Sequence, residues 1–274
     1  MARIPIEDNF DDVINKAQRG LKISDEDLAV RAGITPEDLA AVKAGKPLVA
    51  VIRRVARHLH LGPNALEELT AKEWYPVQPN FPRGFAMFNT VYEDMAVNSY
   101  LVWDSRTKQA AAFDTGASSE GMIDTIQAES LHVRDIFITH THEDHVADLG
   151  RLVAATKADV WVSEQEPCDF PGAKTFSENA HFHLGELAIK TLLTWGHSPG
   201  MTTFYVTGLS WPLAICGDAI FAASMGGSPT HFAEQFRHNR DKILPLPKDT
   251  VIAPGHGPLT TVAQEKQHNP FFAR

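Results

Sequence analysis

Ile138-Thr139-His140-Thr141-His142-Glu143-Asp144-His145 is the stretch on which the reading of this chain turns. A β-like run ends in four side chains that can bind a metal: His140, His142, Asp144 and His145. In extended backbone, side chains two apart point the same way, so His140 and His142 can approach one ion together. Helical periodicity follows, at Val146, Leu149, Leu152 and Val153. The turn into that helix redirects Asp144 and His145 toward a second ion. Imidazole nitrogen and carboxylate oxygen both suit zinc and its neighbouring divalent transition metals.

Working outward, three more candidates stand at the ends of strand-like runs. They are His197 in Gly196-His197-Ser198-Pro199-Gly200, Asp218 in Cys216-Gly217-Asp218, and His256 in Pro254-Gly255-His256-Gly257. Glycine beside each lets backbone approach a crowded centre. A single loop histidine is usually a solvated side chain, but seven candidates at the ends of strands do not share that explanation. His181 and His183 alternate on a hairpin-like strand with no acidic partner nearby in sequence, so they are read as solvated. Asp114, in Phe113-Asp114-Thr115-Gly116, is read as a turn-stabilising acceptor behind the ligands, not as a ligand.

The 274 residues are enough for one large domain and a small one. Strand-like runs at 98–103, 110–113, 136–139, 159–162, 187–193, 203–206, 213–216 and 251–253 alternate with helical segments after His145 and around Phe232, Phe236 and Ile243. That alternation predicts a layered α/β body over residues 88–274. Residues 1–75 read instead as short helices at 11–20, 24–32, 35–44, 48–60 and 64–72, with Ser24 and Thr35 as N-caps. Residues 76–87, rich in proline and aromatics, read as a linker docked on the body.

A net charge of −9 argues against broad affinity for nucleic acid or an anionic membrane. No run approaches the roughly 18 apolar residues of a membrane span. The first 30 residues hold no uninterrupted hydrophobic segment, so the expected location is the cytosol. Cys168 and Cys216 are too few for a disulfide framework or a cysteine metal knuckle.

The order HxHxDH, then His, Asp and His, resembles the metallo-β-lactamase superfamily from about residue 88 to the C-terminus. The resemblance implies an αββα sandwich, two mixed sheets face to face with helices outside. Carried over position by position, it implies that His140, His142 and His197 hold a first metal. Asp144, His145 and His256 would hold a second, and Asp218 would bridge the two. Two divalent transition metals, zinc foremost with iron or manganese as alternatives, would generate a hydroxide that attacks a carbonyl, with Asp144 steering its proton.

Leu244-Pro245-Leu246-Pro247-Lys248-Asp249-Thr250 and the tail Thr260 to Phe271 look like the short type II glyoxalases, which hydrolyse hydroxyacylglutathione thioesters. The chain departs from that group after Gly217-Asp218: it reads Ala219 to Ser228 where the group has a Gly-rich turn with an Arg. The basic cluster that holds glutathione in the longer enzymes is also not evident. A lactone or another carboxylic ester is therefore the alternative substrate. A mononuclear-iron persulfide dioxygenase, which would use His140, His197 and Asp218, is the alternative enzyme.

In the N-terminal part, Asp27 to Gly45 followed by Val55-Ala56-Arg57-His58-Leu59 resembles a phage-repressor helix-turn-helix. Its recognition helix, Thr35 to Lys43, would turn Glu37 and Asp38 toward phosphates, and residues 1–75 carry 11 basic against 12 acidic side chains. The expectation is a docking or dimerisation module. The rival is a ligand- or metal-sensing DNA-binding regulator with the α/β body as sensor. The expected partners are a small-molecule substrate and a second copy of the chain through these helices, not nucleic acid and not a membrane.

Overall fold

A computed structural model describes residues 3–273. Five helices open the chain: α1 Phe10–Gly20, α2 Asp25–Ala32, α3 Pro36–Lys43, α4 Val49–His58 and α5 Pro63–Ala71. Ser24 and Thr35 accept from the Asp27 and Asp38 amides at 3.1 Å each, which satisfies free donors of the first turns of α2 and α3. On α4, Ile52, Val55 and Ala56 are buried and Arg53, Arg54 and Arg57 are not, so its apolar face is turned inward.

Strands β1 Phe85–Tyr92, β2 Met95–Trp103 and β3 Gln109–Phe113 are followed by helix α6 Glu120–Ala128, strand β4 His132–Phe137 and helices α7 Glu143–Val146 and α8 Leu149–Thr156. With β5 Asp159–Ser163 and β6 Lys174–Phe176 these strands form one sheet in sequential order, antiparallel from β1 to β3 and parallel from β3 to β6. The second sheet contains β7 His181–Leu184, β8 Leu187–Leu193, β9 Thr202–Thr207, β10 Leu213–Gly217, β11 Val251–Pro254 and β12 Thr260–Thr261. Among the described residues its one parallel pair is β10 with β11, connected through α9 Phe232–His238, and α10 Val262–His268 follows β12. Two differences from the sequence reading stand out. β1 starts at Phe85, inside the expected linker, and β4 ends at Phe137, so Ile138 and Thr139 already belong to the turn that carries the histidines.

The inner faces of the sheets meet in an aromatic and aliphatic core around Phe113, Phe137, Phe204, Val102, Ile189 and Ile215. Met122, Leu149 and Leu152 of α6 and α8 cover the outside of the first sheet. Ile243, Leu244 and Val262 cover the second. This is the αββα sandwich. The N-terminal helices share one apolar cluster with Ala223, Met225 and Phe271 of the body. Gly62 donates to the Pro270 carbonyl at 2.7 Å, and Trp74 stacks on His268 at 4.8 Å. No helix among the described residues is long and apolar enough to cross a membrane.

Candidate metal centre

All seven sequence-predicted ligands gather at one end of the sandwich, each at or just past the end of a strand or on the short helix α7. The rise from β4 into α7 delivers His140 and His142, then Asp144 and His145. The turns after β8, β10 and β11 deliver His197, Asp218 and His256. The chain needs glycine at such a convergence. A Cβ on Gly255 would stand 2.1 Å from Asp218 Oδ1 and 2.7 Å from His145 Cε1, so no other residue fits there without displacing a candidate ligand.

Four of the five imidazoles are held by the ring nitrogen facing away from the centre. His145 Nδ1 donates to Asp114 Oδ2 at 2.8 Å, His197 Nδ1 to the Gly227 carbonyl at 2.8 Å, and His256 Nδ1 to the Ala96 carbonyl at 2.8 Å. His140 Nδ1 lies 3.1 Å from the Thr139 hydroxyl. Such contacts fix tautomer and orientation and leave Nε2 free for an ion. His142 is the exception, presenting Nδ1, at 3.1 Å from His140 Nε2 and 3.0 Å from His197 Nε2.

On the other side, His256 Nε2 is 3.2 Å from Asp144 Oδ2 and 3.4 Å from Asp218 Oδ2. His145 Nε2 is 3.5 Å from Asp144 Oδ2 and 3.3 Å from Asp218 Oδ1. Asp218 Oδ2 also lies 3.4 Å from His197 Nε2, so this carboxylate touches both groups.

These residues fit divalent transition metals. Ligand atoms about 2.0–2.1 Å from a tetrahedral ion stand about 3.3–3.4 Å from one another. The spacings around Asp144 and Asp218, 3.2–3.5 Å, lie about that edge length, and the two at His142 are shorter, 3.1 Å and 3.0 Å. His145 Nε2 and Asp218 Oδ1 are buried with no hydrogen-bond partner, a costly arrangement for polar atoms unless something else occupies the space between them. Three overlapping groups could each hold an ion: His140, His142 and His197; Asp144, His145 and His256; and His140 and His145 with Asp218.

Electrostatics divides the site. Burial holds His140 well below the usual histidine range, helped by His145, and also lowers His197. Burial opposes charge on His145 and His256 as well, but there the carboxylates prevail. Asp114 and Asp218 raise His145 to about 10, and Asp218 and Asp144 raise His256 to about 11. Against the same burial, His256 and His145 hold Asp218 well below the carboxylate range.

Asp114 is not among the candidate ligands. It accepts from the Thr139 amide and hydroxyl at 2.8 Å each besides His145, from a backbone position with φ +55°. His181 and His183 are exposed on β7 and join none of the groups that could hold an ion. Cys216 is buried and its thiol is pushed up to about 12, so it is an inert core side chain.

One residue escapes the sequence reading. Glu166, buried in the loop after β5, accepts from the Thr141 amide at 2.9 Å and the Thr141 hydroxyl at 3.0 Å. Its other oxygen accepts from the Gly200 amide at 2.6 Å and from the Ser198 hydroxyl. It thereby ties the turn carrying His140 and His142 to the turn carrying His197. A lone Glu in a polar loop offers no local pattern by which sequence could single it out.

The profile of the metallo-beta-lactamase superfamily matches residues 92–256. Hydroxyacylglutathione hydrolase GloC of Haemophilus influenzae is 28% identical over 198 residues, covering 64% of this chain and 92% of that protein. The crystal structure of TTHA1623 in a di-iron-bound form aligns with TM-score 0.53 at 25% identity, over 67% of this chain and 99% of that one. ETHE1 from Myxococcus xanthus shares the fold, with TM-score 0.58 at 24% identity over 69% of this chain and 84% of that one. The profile match begins after all five N-terminal helices.

Proposed function

The chain belongs to the metallo-beta-lactamase superfamily, and from that premise we propose that it is a metal-dependent hydrolase of thioesters or related carboxylic esters. The observation that carries the reading is the ring of seven side chains whose free nitrogens and oxygens face one another at ligand-to-ligand spacing around two unpartnered buried atoms. In the proposal, His140, His142 and His197 hold one ion, Asp144, His145 and His256 the other, and Asp218 contacts both. Ions bound there would polarise a scissile carbonyl and bring the ionisation of water toward neutral pH.

The chain's own residues do the rest. In the metal-free chain burial raises the Asp144 carboxyl but His256, 3.2 Å away, brings it below the usual carboxylate range; Asp144 is placed to take the proton of the attacking water. Asp114 fixes the ring of His145, and Glu166 fixes the relative position of the two loops bearing the three-histidine group. His142 is exposed and marks the open side through which substrate enters. The relative in Haemophilus influenzae, named for hydroxyacylglutathione hydrolysis, supports a thioester as the scissile bond.

The test is turnover of a panel of acyl thioesters, lactones and aryl esters by protein loaded with zinc, iron or manganese. Hydrolysis of at least one thioester or ester, abolished by chelator and restored by metal, is the expected result. Fully loaded protein that turns over none of them would overturn the proposal.

A further inference from the structure

Residues 219–228, where the chain departs from the sequence pattern of the short glyoxalases, form a loop between two members of the candidate metal centre. The loop leaves Asp218, just past β10, and returns to Gly227, whose carbonyl accepts from His197 Nδ1 at 2.8 Å. Its outer tip is held by the N-terminal region. Asp8 accepts from the Ser224 hydroxyl, and the Lys16 ammonium donates to the Met225 carbonyl at 3.0 Å.

The base of the loop is closed by one side chain. Gln235, fully buried on α9, donates from Nε2 to the Asp218 and Ala219 carbonyls at 3.3 Å each and to the Gly226 carbonyl at 3.0 Å. Three carbonyl oxygens around that atom fix it as the nitrogen of the amide. The Gly226 amide also donates to the Asp218 carbonyl, at 3.2 Å, so both ends of the loop meet at this point. The main chain of residue 235 presses on the turn that carries His197. A Cβ on Gly196 would stand 2.4 Å from Gln235 Cβ and 2.8 Å from its Cα. Ser228 closes the same junction, its hydroxyl donating to the Gly196 carbonyl at 2.6 Å.

Oε1 of Gln235 is buried with no hydrogen-bond partner. An apolar side chain of the same length would fill the position without that cost, so packing alone does not account for an amide here. We propose that Gln235 is a positioning residue of the metal centre. Its carboxamide fixes the Asp218 main chain against the His197 turn. It thereby sets the separation between the carboxylate that contacts both ligand groups and one histidine of the three-histidine group, now 3.4 Å from Asp218 Oδ2 to His197 Nε2. The inference rests on the metal ligation proposed above, and Gln235 itself touches neither ion nor substrate.

The experiment titrates the full chain with zinc against a competing chelator, below the unfolding transition, and records Tm in parallel. Gln235→Met keeps the length of the side chain and removes its donors. It should weaken one zinc equivalent by about tenfold to a hundredfold, the same equivalent that His197→Ala removes. Gln18→Met is the control. Gln18 is also buried with Oε1 unpartnered, but its Nε2 donates to the Ile23 carbonyl at 3.1 Å and to Asp25, within the N-terminal helices. That variant should lower Tm and leave both zinc affinities as they were. Affinities within twofold of wild type in Gln235→Met, or an equal loss in both variants, would overturn the inference. Should Gln235→Met not fold, Gln235→Asn, with the same amide on a shorter stem, is read in the same way, and failure of both to fold would overturn it as well. Two zinc ions bound without hydrolysis of any ester would refute the hydrolase reading while the zinc affinities still decide the role of Gln235. A wild-type chain that binds no zinc would overturn both.

Discussion

The two halves of the candidate metal centre are made of different chemistry. Around His142 there are three imidazoles, two of them lowered by burial, and one ring open to solvent. Around His256 there are two carboxylates and two imidazoles raised to about 10 and about 11, with the Phe221 ring edge-on to His256. In the first half burial already disfavours the charged form of His140 and His197. The second, without an ion, balances its carboxylates with protons that a metal must displace. On the proposed function, the proton chemistry belongs with Asp144 and its partners.

The sharpest way to break that contrast is Asp144→Asn. A neutral amide neither balances a second ion nor takes up a proton, so kcat should fall about a hundredfold to ten-thousandfold with the fold intact. Steady-state kinetics with a circular dichroism control checks it, and near wild-type turnover would remove Asp144 from the assigned role. Glu166→Gln acts on the other half. It loosens the link between Thr141 and Gly200, and activity should fall about tenfold to a hundredfold, with weaker metal retention in a competitive chelator titration. Unchanged activity and retention would mean that the loops hold their positions without it.

How much of this was legible differs by residue for physical reasons. The seven candidate ligands are readable because their spacing binds chemistry to backbone: alternate residues of an extended run, then a turn into a helix, then histidine or aspartate beside glycine at later strand ends. Asp114 is readable as an acceptor near the ligands because it precedes Thr115-Gly116 at a strand end, but only the fold shows that it orients His145. Glu166 is not readable, since its partners Thr141, Ser198 and Gly200 come from turns far apart in sequence. β1 hides for a different reason. It is an edge strand, half exposed over Asn89 to Tyr92, and its short apolar run Phe85 to Phe88 follows so closely on the proline-rich stretch that it reads as part of the linker. The N-terminal helices are legible as helices from their caps and breaks, whereas their contact with the body depends on single residues such as Asp8, which accepts from Ser224, that no periodicity picks out.

A proton count sharpens the contrast between the halves. Imidazoles held at about 10 and about 11 keep their protons at pH 8 in metal-free protein, so an ion entering beside Asp144 must release them. Affinity there should rise with pH by about tenfold per unit for each proton displaced, and fall as the solution is acidified. The three-histidine half should release fewer. Metal titration in weak buffer with a pH-stat measures both, and equal release for the two equivalents would erase the distinction.

The smallest expected effect lies under the turn that backs His256. Glu265, fully buried, accepts from Thr260, Asn269 and the Ala223 amide, yet burial raises it to about 7. The folded chain therefore holds a proton that the unfolded chain has lost above about pH 4.5. Its contribution to stability is fully present below about pH 4.5 and is lost as pH rises through 7, by at most about 3 kcal/mol. Glu265→Gln should flatten that part of the Tm profile between pH 5 and 8, and a profile identical to wild type would show that Glu265 does not titrate there.

The most direct test of the central claim is the metal content of the purified chain, by elemental analysis, alongside turnover of a chromogenic thioester. Close to two transition-metal ions per chain are expected, with activity lost on chelation and regained at the second equivalent. A chain that binds no metal and stays inactive after reconstitution would contradict it, as would a single tightly held iron that saturates activity.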